Sequence, residues 1–323
     1  MAVATGATSR PVLAMGEVLV DFIVADDATS LQTAEMFAAR AGGAPANVAV
    51  ALARLGLASA FCGVVGDDPF GTRLRAELAE QRVDVARLRS TGDAATTFAF
   101  AWKDSRGDGH FWLLRNADTL LNDGDVAAAG IPALAALVIG SVALAEQPSR
   151  GAIERAVLTA REAGVPVVFD INLRPTLWRD LGEARTASER IAAESTVLKL
   201  SLDDARGLYG SEIGPDSAIL RLLTLGPQAV ILTDGERGCW LASRDVPGVT
   251  RVPAFSIDAV EPTGAGDAFT AALISRLLDS DWSAPTPEDV RFAAAAGALA
   301  TTRRGAWEGL PSRDQLQSFL ESA

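Results

Sequence analysis

The sequence predicts an α/β protein of three layers, α/β/α, with a mostly parallel central sheet and a small β-sheet lid set apart from it. Three observations carry that prediction. Short, near-continuous apolar runs alternate with longer segments of helical periodicity, the pattern of parallel strands covered on both faces. Apolar residues make up 49% of the 323 positions, ample for a large core. One stretch, residues 96–114, breaks the alternation with two adjacent strand-like runs and a turn-rich connection.

In chain order, strands are expected at 12–24, 59–65, 136–142, 166–171, 196–201 and 229–233, each a short apolar run bounded by polar or turn-forming residues. Helices are expected at 44–55, 69–82, 148–163, 202–209, 216–225, 265–278, 287–302 and 313–321. Several have readable starts. Asp68-Pro69 and Thr286-Pro287 each place an N-cap before a proline at the first helical position. Ser312 and Gln315 have capping-box spacing. The strands at 96–102 and 110–114 flank Lys103-Asp-Ser-Arg-Gly-Asp-Gly109, whose Arg-Gly-Asp triplet reads as turn chemistry. Their aromatic residues, Phe98, Phe100, Trp102, Phe111 and Trp112, need cover, which a cleft beneath a lid, a second copy of the chain, or both would supply. No repeat, low-complexity tract or long linker divides the chain. Residues 1–323 are therefore expected to form a single domain, with the lid drawn from about 21–37 and 96–114 and a homodimer formed through it.

Composition narrows the function. A net charge of −12 argues against nucleic acid or an anionic membrane as the partner. Cys62 and Cys239 lie in apolar runs without metal-ligand spacing and are expected to be buried thiols in a reducing cytoplasm. The single histidine, His110, argues against a histidine-based triad or a multi-histidine metal site and leaves acid–base work to carboxylates. The first ten residues lack a signal-peptide core, and no apolar run reaches membrane-spanning length. The expected location is the cytoplasm.

The most informative motif is Glu261-Pro-Thr-Gly-Ala-Gly-Asp-Ala-Phe-Thr270. Gly264, Ala265 and Gly266 lead into Asp267 and an amphipathic run. A small-residue turn opening a helix aims backbone N–H groups and the positive end of the helix dipole at one point, which suits a phosphate. Asp267 in the first turn would sit beside whatever attacks that phosphate. Taken alone, the stretch reads equally well as a turn with an acidic cap. Near the N-terminus, Gly16-Glu-Val-Leu-Val-Asp21 places a carboxylate at a strand end, and Gly42-Gly-Ala-Pro-Ala-Asn47 runs into a helix. Gly43 would let the backbone approach a ligand, and Asn47 offers a donor and an acceptor suited to vicinal hydroxyls, or is solvated on the first turn. Asp170-Ile-Asn-Leu-Arg174 follows a buried strand, where ligands bind in open parallel sheets. Asp170, Asn172 and Arg174 would share one face of an extended segment, or form an Asp–Arg pair trimming a loop. Asp203 and Asp204 could reach hydrated magnesium or stabilise a helix start. The turn Thr233-Asp-Gly-Glu-Arg-Gly238 could support a nucleotide or be a tight turn alone.

Together these segments resemble the PfkB (ribokinase-like) family of ATP-dependent sugar kinases, over nearly the whole chain. The resemblance is carried by Gly42-Gly-Ala-Pro-Ala-Asn-Val-Ala-Val-Ala-Leu-Ala-Arg-Leu-Gly56, by Gly66-Asp67-Asp68 with Phe70-Gly71, and by Pro262-Thr-Gly-Ala-Gly-Asp267. Within the family it is closest to fructokinases, through Gly16-Glu-Val-Leu-Val-Asp-Phe22, Arg115-Asn-Ala-Asp-Thr-Leu-Leu121, Gly140-Ser-Val-Ala-Leu144 and Asp170-Ile-Asn-Leu-Arg-Pro-Thr-Leu-Trp178. The resemblance implies ATP and Mg²⁺ as cofactors and the 6-hydroxyl of fructose as acceptor. It implies Asp267 as base, with Gly264, Ala265, Gly266 and the Asp267 amide as an anion hole. Asp21, Gly43, Asn47 and Arg174 would hold the sugar. Asp170 and Asn172 would lie near the phosphates. Lys199 and the turn with Thr233, Gly235 and Gly238 would border the nucleotide, with the region around Ala265 and 297–301. Asp204 would order magnesium-bound water. A potassium site would use Glu261 and the carbonyls of Ala300, Arg303 and Gly305.

Three features depart from the family pattern. Glu261-Pro262 stands for the usual Asp-Thr. Ser201 and Asp204 stand at the ends of the usual Asn-x-x-Glu. Trp307 adds an aromatic to a loop near the cation and nucleotide. Kinases of 2-keto-3-deoxygluconate and of aminoimidazole riboside share much of the pattern and are the alternative within the class. A non-catalytic sugar-binding sensor of the same fold is the alternative outside it. An NAD-dependent oxidoreductase fails for want of a Gly-x-Gly-x-x-Gly turn after the first strand.

Overall fold

The computed structural model describes residues 10–106 and 109–322, so Gly107 and Asp108 of the Arg-Gly-Asp triplet lie outside the described residues. The large sheet has nine strands: β1 (Val12–Met15), β4 (Ser59–Gly66), β5 (Asp84–Thr91), β8 (Ala136–Gly140), β9 (Val167–Asp170), β10 (Val197–Ser201), β11 (Ala229–Thr233), β12 (Cys239–Ser243) and β13 (Thr250–Val252). Their order is β13-β12-β11-β10-β9-β8-β1-β4-β5, parallel from β11 to β5, with β12 and β13 joined by antiparallel pairings at one edge. The small sheet has four strands, β2 (Leu19–Val24), β3 (Phe37–Gly42), β6 (Phe98–Lys103) and β7 (Gly109–Leu114), in the order β3-β2-β6-β7.

Two-faced burial makes the short strands of the large sheet. In β1, Val12 and Ala14 join one core and Leu13 and Met15 the other. The same alternation recurs in β8, where Val138 faces one way and Leu137 and Ile139 the other, and in β9, where Val168 opposes Val167 and Phe169. At about 1.5–3 kcal/mol per fully buried Val, Leu, Ile or Phe side chain, the pattern is decisive for runs of this length. The first core is covered by α1 (Ala44–Arg54), α2 (Pro69–Glu80), α8 (Ala265–Asp279), α9 (Pro287–Ala300) and α10 (Arg313–Ser322). The second is covered by α3 (Asp123–Ala128), α4 (Ser149–Glu162), α5 (Leu181–Glu194), α6 (Leu202–Tyr209) and α7 (Pro215–Leu223).

The expected caps form. Asp68 accepts the N–H groups of Phe70 and Gly71, Thr286 and Asp289 close a capping box on α9, and Ser312 and Gln315 bond reciprocally. The expected strand at 12–24 is corrected. It is two strands in two sheets, because the chain turns at Gly16 and leaves the large sheet before Leu19. The lid's second contribution from the N-terminal region is β3, 37–42, beyond the expected 21–37. It pairs antiparallel with β2 from Leu19–Gly42 to Val24–Phe37. Neither α5 nor β5 was expected.

Candidate active site

The carboxyl ends of the parallel strands, the N-termini of α1 and α8, and the inner face of the lid meet around a cavity of about 420 Å³. Ten of the residues expected at the site line it: Asp21, Gly43, Asn47, Asn172, Arg174, Lys199, Glu261, Gly264, Gly266 and Asp267. The lid contributes Leu19, Asp21 and Ile23 from β2, Ala101 from β6, and Phe111 and Leu113 from β7. Alternation along these strands sends Phe22, Phe98, Phe100 and Trp112 to the other face, where Trp112 stacks on Phe100, Phe100 stacks on Phe22 and Phe98 meets Phe22 edge-on.

The α8 terminus is shaped by Gly264, held at φ +83 with Ala306 O only 2.9 Å from where a Cβ would stand. The glycine turns the chain so that the next amides point out along the helix axis. The N–H groups of Gly264, Gly266 and Asp267 have no partner among the described residues. Ala265 is a correction: its N–H donates to Pro262 O at 3.1 Å, closing the turn, and is not available to an anion. Three unpartnered amides therefore remain at this terminus. Gly43, at φ +105, performs the matching turn ahead of α1, and a Cβ there would lie 2.5 Å from Glu17 O.

Asp267 is 7% exposed, and its Oδ2 accepts from Asn47 Nδ2 at 2.7 Å. Burial pushes its carboxyl up to about 6, opposed first by the Asn47 bond, with Asp170 adding to the rise and Lys199 and Arg174 opposing it. Lys199 Nζ donates to both oxygens of Asp170, at 2.9 and 3.1 Å, and Thr270 Oγ1 donates to Asp170 Oδ2 at 2.9 Å. Burial would lower the Lys199 ammonium, yet Asp170 outweighs it and holds the group charged. That ammonium sits against Gly266 at the mouth of the anion hole. Asp170 is thus the buried partner of Lys199. It does not share an exposed face with Asn172 and Arg174, since Asn172 at φ +42 ends the extended segment. Arg174 Nη1 instead donates to Asn172 Oδ1 at 2.7 Å, and its guanidinium lies 5.7 Å from the Phe111 ring of the lid.

Across the cavity, Asp21 is pushed up to about 7, by burial first, with Arg174 opposing and Glu261 adding. Its Oδ1 is buried without a partner. Glu17 belongs to the same wall and was not among the expected site residues. Its Oε1 accepts Ala44 N–H at 3.2 Å, its Oε2 is buried without a partner, and burial raises it to about 7. An acidic residue inside the first apolar run was the available signal. Both residues line the cavity, and each keeps one buried oxygen with no hydrogen-bond partner among the described residues.

The remaining expected residues lie outside the cavity. Both oxygens of Asp204 accept backbone N–H groups, from Leu173 at 2.8 Å and Ser201 at 2.7 Å, and complete the α6 capping box. That carboxylate ties the start of α6 to Leu173. Thr233, Gly235 and Gly238 stand at the end of β11 around a short turn. Glu261 accepts from Thr263 Oγ1 at 2.7 Å and Gly305 N–H at 3.3 Å, which ties the cavity rim to the 300–305 loop. Arg303 lines a separate cavity of about 410 Å³ between the end of α9 and α10, and Ala300 is buried beneath. Among the described residues, no cluster of three or more His, Cys, Asp or Glu side chains could hold a metal, and no helix is long and apolar enough to cross a membrane.

Unpartnered amides at a helix terminus, a buried carboxylate beside them and a polar cavity under a lid form an arrangement suited to phosphoryl transfer. Residues 9–313 match the pfkB family of carbohydrate kinases. The chain is 36% identical over 321 residues to fructokinase-1 of Oryza sativa subsp. japonica, covering 98% of this chain and 99% of the other. It superposes on the fructokinase with bound ATP from Xylella fastidiosa with a TM-score of 0.86 at 29% identity, covering 97% and 98% of the two chains. A putative ribokinase II from E. coli, in complex with ATP and Mg²⁺, superposes equally well, with a TM-score of 0.86 at 26% identity over 97% and 100% of the chains. This chain belongs to the pfkB family and is an ATP-dependent sugar kinase with a ribokinase-like fold.

Proposed function

We propose that the sugar is fructose, phosphorylated at its 6-hydroxyl, with Asp267 as the base. The observation that carries the mechanism is the buried Asp267 carboxylate beside three unpartnered amides at the start of α8. The phosphoryl group settles at the amides of Gly264, Gly266 and Asp267, where the helix terminus adds roughly half a positive charge. Lys199, held charged in its ion pair with Asp170, places an ammonium donor beside it. The sugar hydroxyl oxygen bonds to phosphorus as the bond to the ADP oxygen breaks, and the hydroxyl proton passes to Asp267. In a loose transition state that proton leaves late, so a carboxylate of modest basicity is sufficient. Asp21, Glu17 and Asn47 take up the remaining hydroxyls, and Arg174 joins the sugar side to Asn172 on the nucleotide side. The turn at Thr233, Gly235 and Gly238 borders the nucleotide base. Mg²⁺ accompanies ATP and neutralises its phosphates. Glu261 and the carbonyls of Ala300, Arg303 and Gly305 would hold a potassium ion, which would add positive charge near the start of α8. The fructokinase name of the relative supports the choice of sugar.

We read the outer face of the lid as the contact between two copies. Trp112 is 52% exposed and stacks on Phe100, which stacks on Phe22.

The test is ADP release with Mg²⁺, in potassium and in sodium buffers, over fructose, 2-keto-3-deoxygluconate, aminoimidazole riboside, ribose and glucose. Fructose should lead by at least tenfold, and Asp267→Asn should abolish release while fructose still binds within a few-fold. A sugar acid or riboside in first place would replace the substrate. Release by no sugar would leave a sugar-binding sensor as the reading.

A further inference from the structure

Trp307 lies 260 residues from Asn47 in sequence and beside it in space. Its indole Nε1–H donates to Asn47 Oδ1 at 2.8 Å, while Asn47 Nδ2 donates to Asp267 Oδ2 at 2.7 Å. The three side chains belong to residues that are only 7%, 6% and 7% exposed. An indole has a donor and no acceptor, so only the oxygen end of the Asn47 amide can face it. The amide's other end must then face the carboxylate. The reversed amide would set its oxygen against Asp267 and leave the indole N–H buried and unpaired, which is costly at low dielectric.

We propose that Trp307 is a positioning residue for phosphoryl transfer: it locks the Asn47 amide in the one orientation that donates to Asp267. This rests on the reading of Asp267 as the base. The lock keeps the carboxylate fixed toward the cavity and favours its ionised form. Six other ionisable groups face Asp267 or share its cavity: Lys199, Asp170, Arg174, Asp21, Glu17 and Glu261. None can substitute for the indole, because none orients Asn47. The loop holding Trp307 has its own anchor. Arg54 Nη1 donates to the carbonyls of Trp307 and Leu310, contacts that survive a change of side chain.

The variant is Trp307→Phe, which keeps a ring and removes the donor. At pH 7.5 its kcat should fall about tenfold with a sugar KM changed less than threefold, as expected for loss of an interaction used in the transition state. Its acid limb should move up by about half a pH unit or more. In an Asn47→Ala background the same change should cost nothing further. An unmoved limb with kcat within twofold of wild type, or a full loss in the Asn47→Ala background, overturns the proposal. A second readout needs no turnover. The indole N–H resonance that Trp307→Phe removes should titrate with pH in the wild-type protein and not in Asp267→Asn. Failure to titrate in the wild type counts against the coupling. A titrating indole in a protein that phosphorylates no sugar counts against the kinase mechanism and leaves the coupling standing.

Discussion

Asp267 draws its chemistry from its surroundings. A carboxyl raised by burial to about 6 is protonated below that value and ionised above it, and only the ionised form can accept the sugar's proton. We therefore expect kcat to fall about tenfold per pH unit below about 6 and to level off above it, measured by ADP release at saturating sugar and ATP. A profile flat down to pH 4.5 would remove Asp267 from the proton's path. At this scale, much of the site was legible. Asp267, the glycines beside it, Asp21 and Asn47 each stand in a motif whose spacing carries a mechanism. Two things were not legible. Asp170 and Asn172 sit two apart, as on a strand, yet one is buried under Lys199 and the other turns at positive φ. Glu17 looked like part of a strand, and only its neighbours show that it lines the cavity with one oxygen buried and unpartnered.

Elements raise a different question, which is why some segments were readable and others were not. The α8 start is readable because its run of small residues is local, although the contact that holds Gly264 left-handed comes from Ala306 O in a distant segment. Gly264→Val should cost about 1–3 kcal/mol of folding stability through backbone strain. It should also lower kcat by roughly a hundredfold through a misdirected anion hole. Urea unfolding and ADP release measure the two, and wild-type values in both would refute the geometry. By contrast, β3 (Phe-Ala-Ala-Arg-Ala-Gly) has no strand signature, and its extended form comes from pairing with β2. The inner side of α5 is built from Ala184, Ala187, Ser188, Ile191 and Ala192, too weak an apolar stripe to read among its charges. The edge strand β5 hides behind Arg87 and Arg89, which leave the sheet to bond Ala129 O and Asp125.

For the whole molecule, one surface is unaccounted for within the chain: the aromatic outer face of the lid. If two copies meet there, Trp112→Glu should convert a dimer to a monomer in analytical ultracentrifugation. Sugar affinity should weaken several-fold at the same time, because β7 carries Trp112 on one face and Phe111 and Leu113 on the cavity face. An unchanged mass would place the contact elsewhere or nowhere. The alternation of apolar runs and amphipathic segments determined the layered fold, and two motifs taken together carried the resemblance to the family, because each rests on neighbours a few residues apart. Which strand leaves the main sheet for the lid, which carboxylates are buried with an oxygen free, and that Trp307 reaches Asn47 and through it Asp267, were decided only by tertiary structure. Those facts depend on burial and on hydrogen bonds between segments as much as 260 residues apart, and no local pattern encodes them.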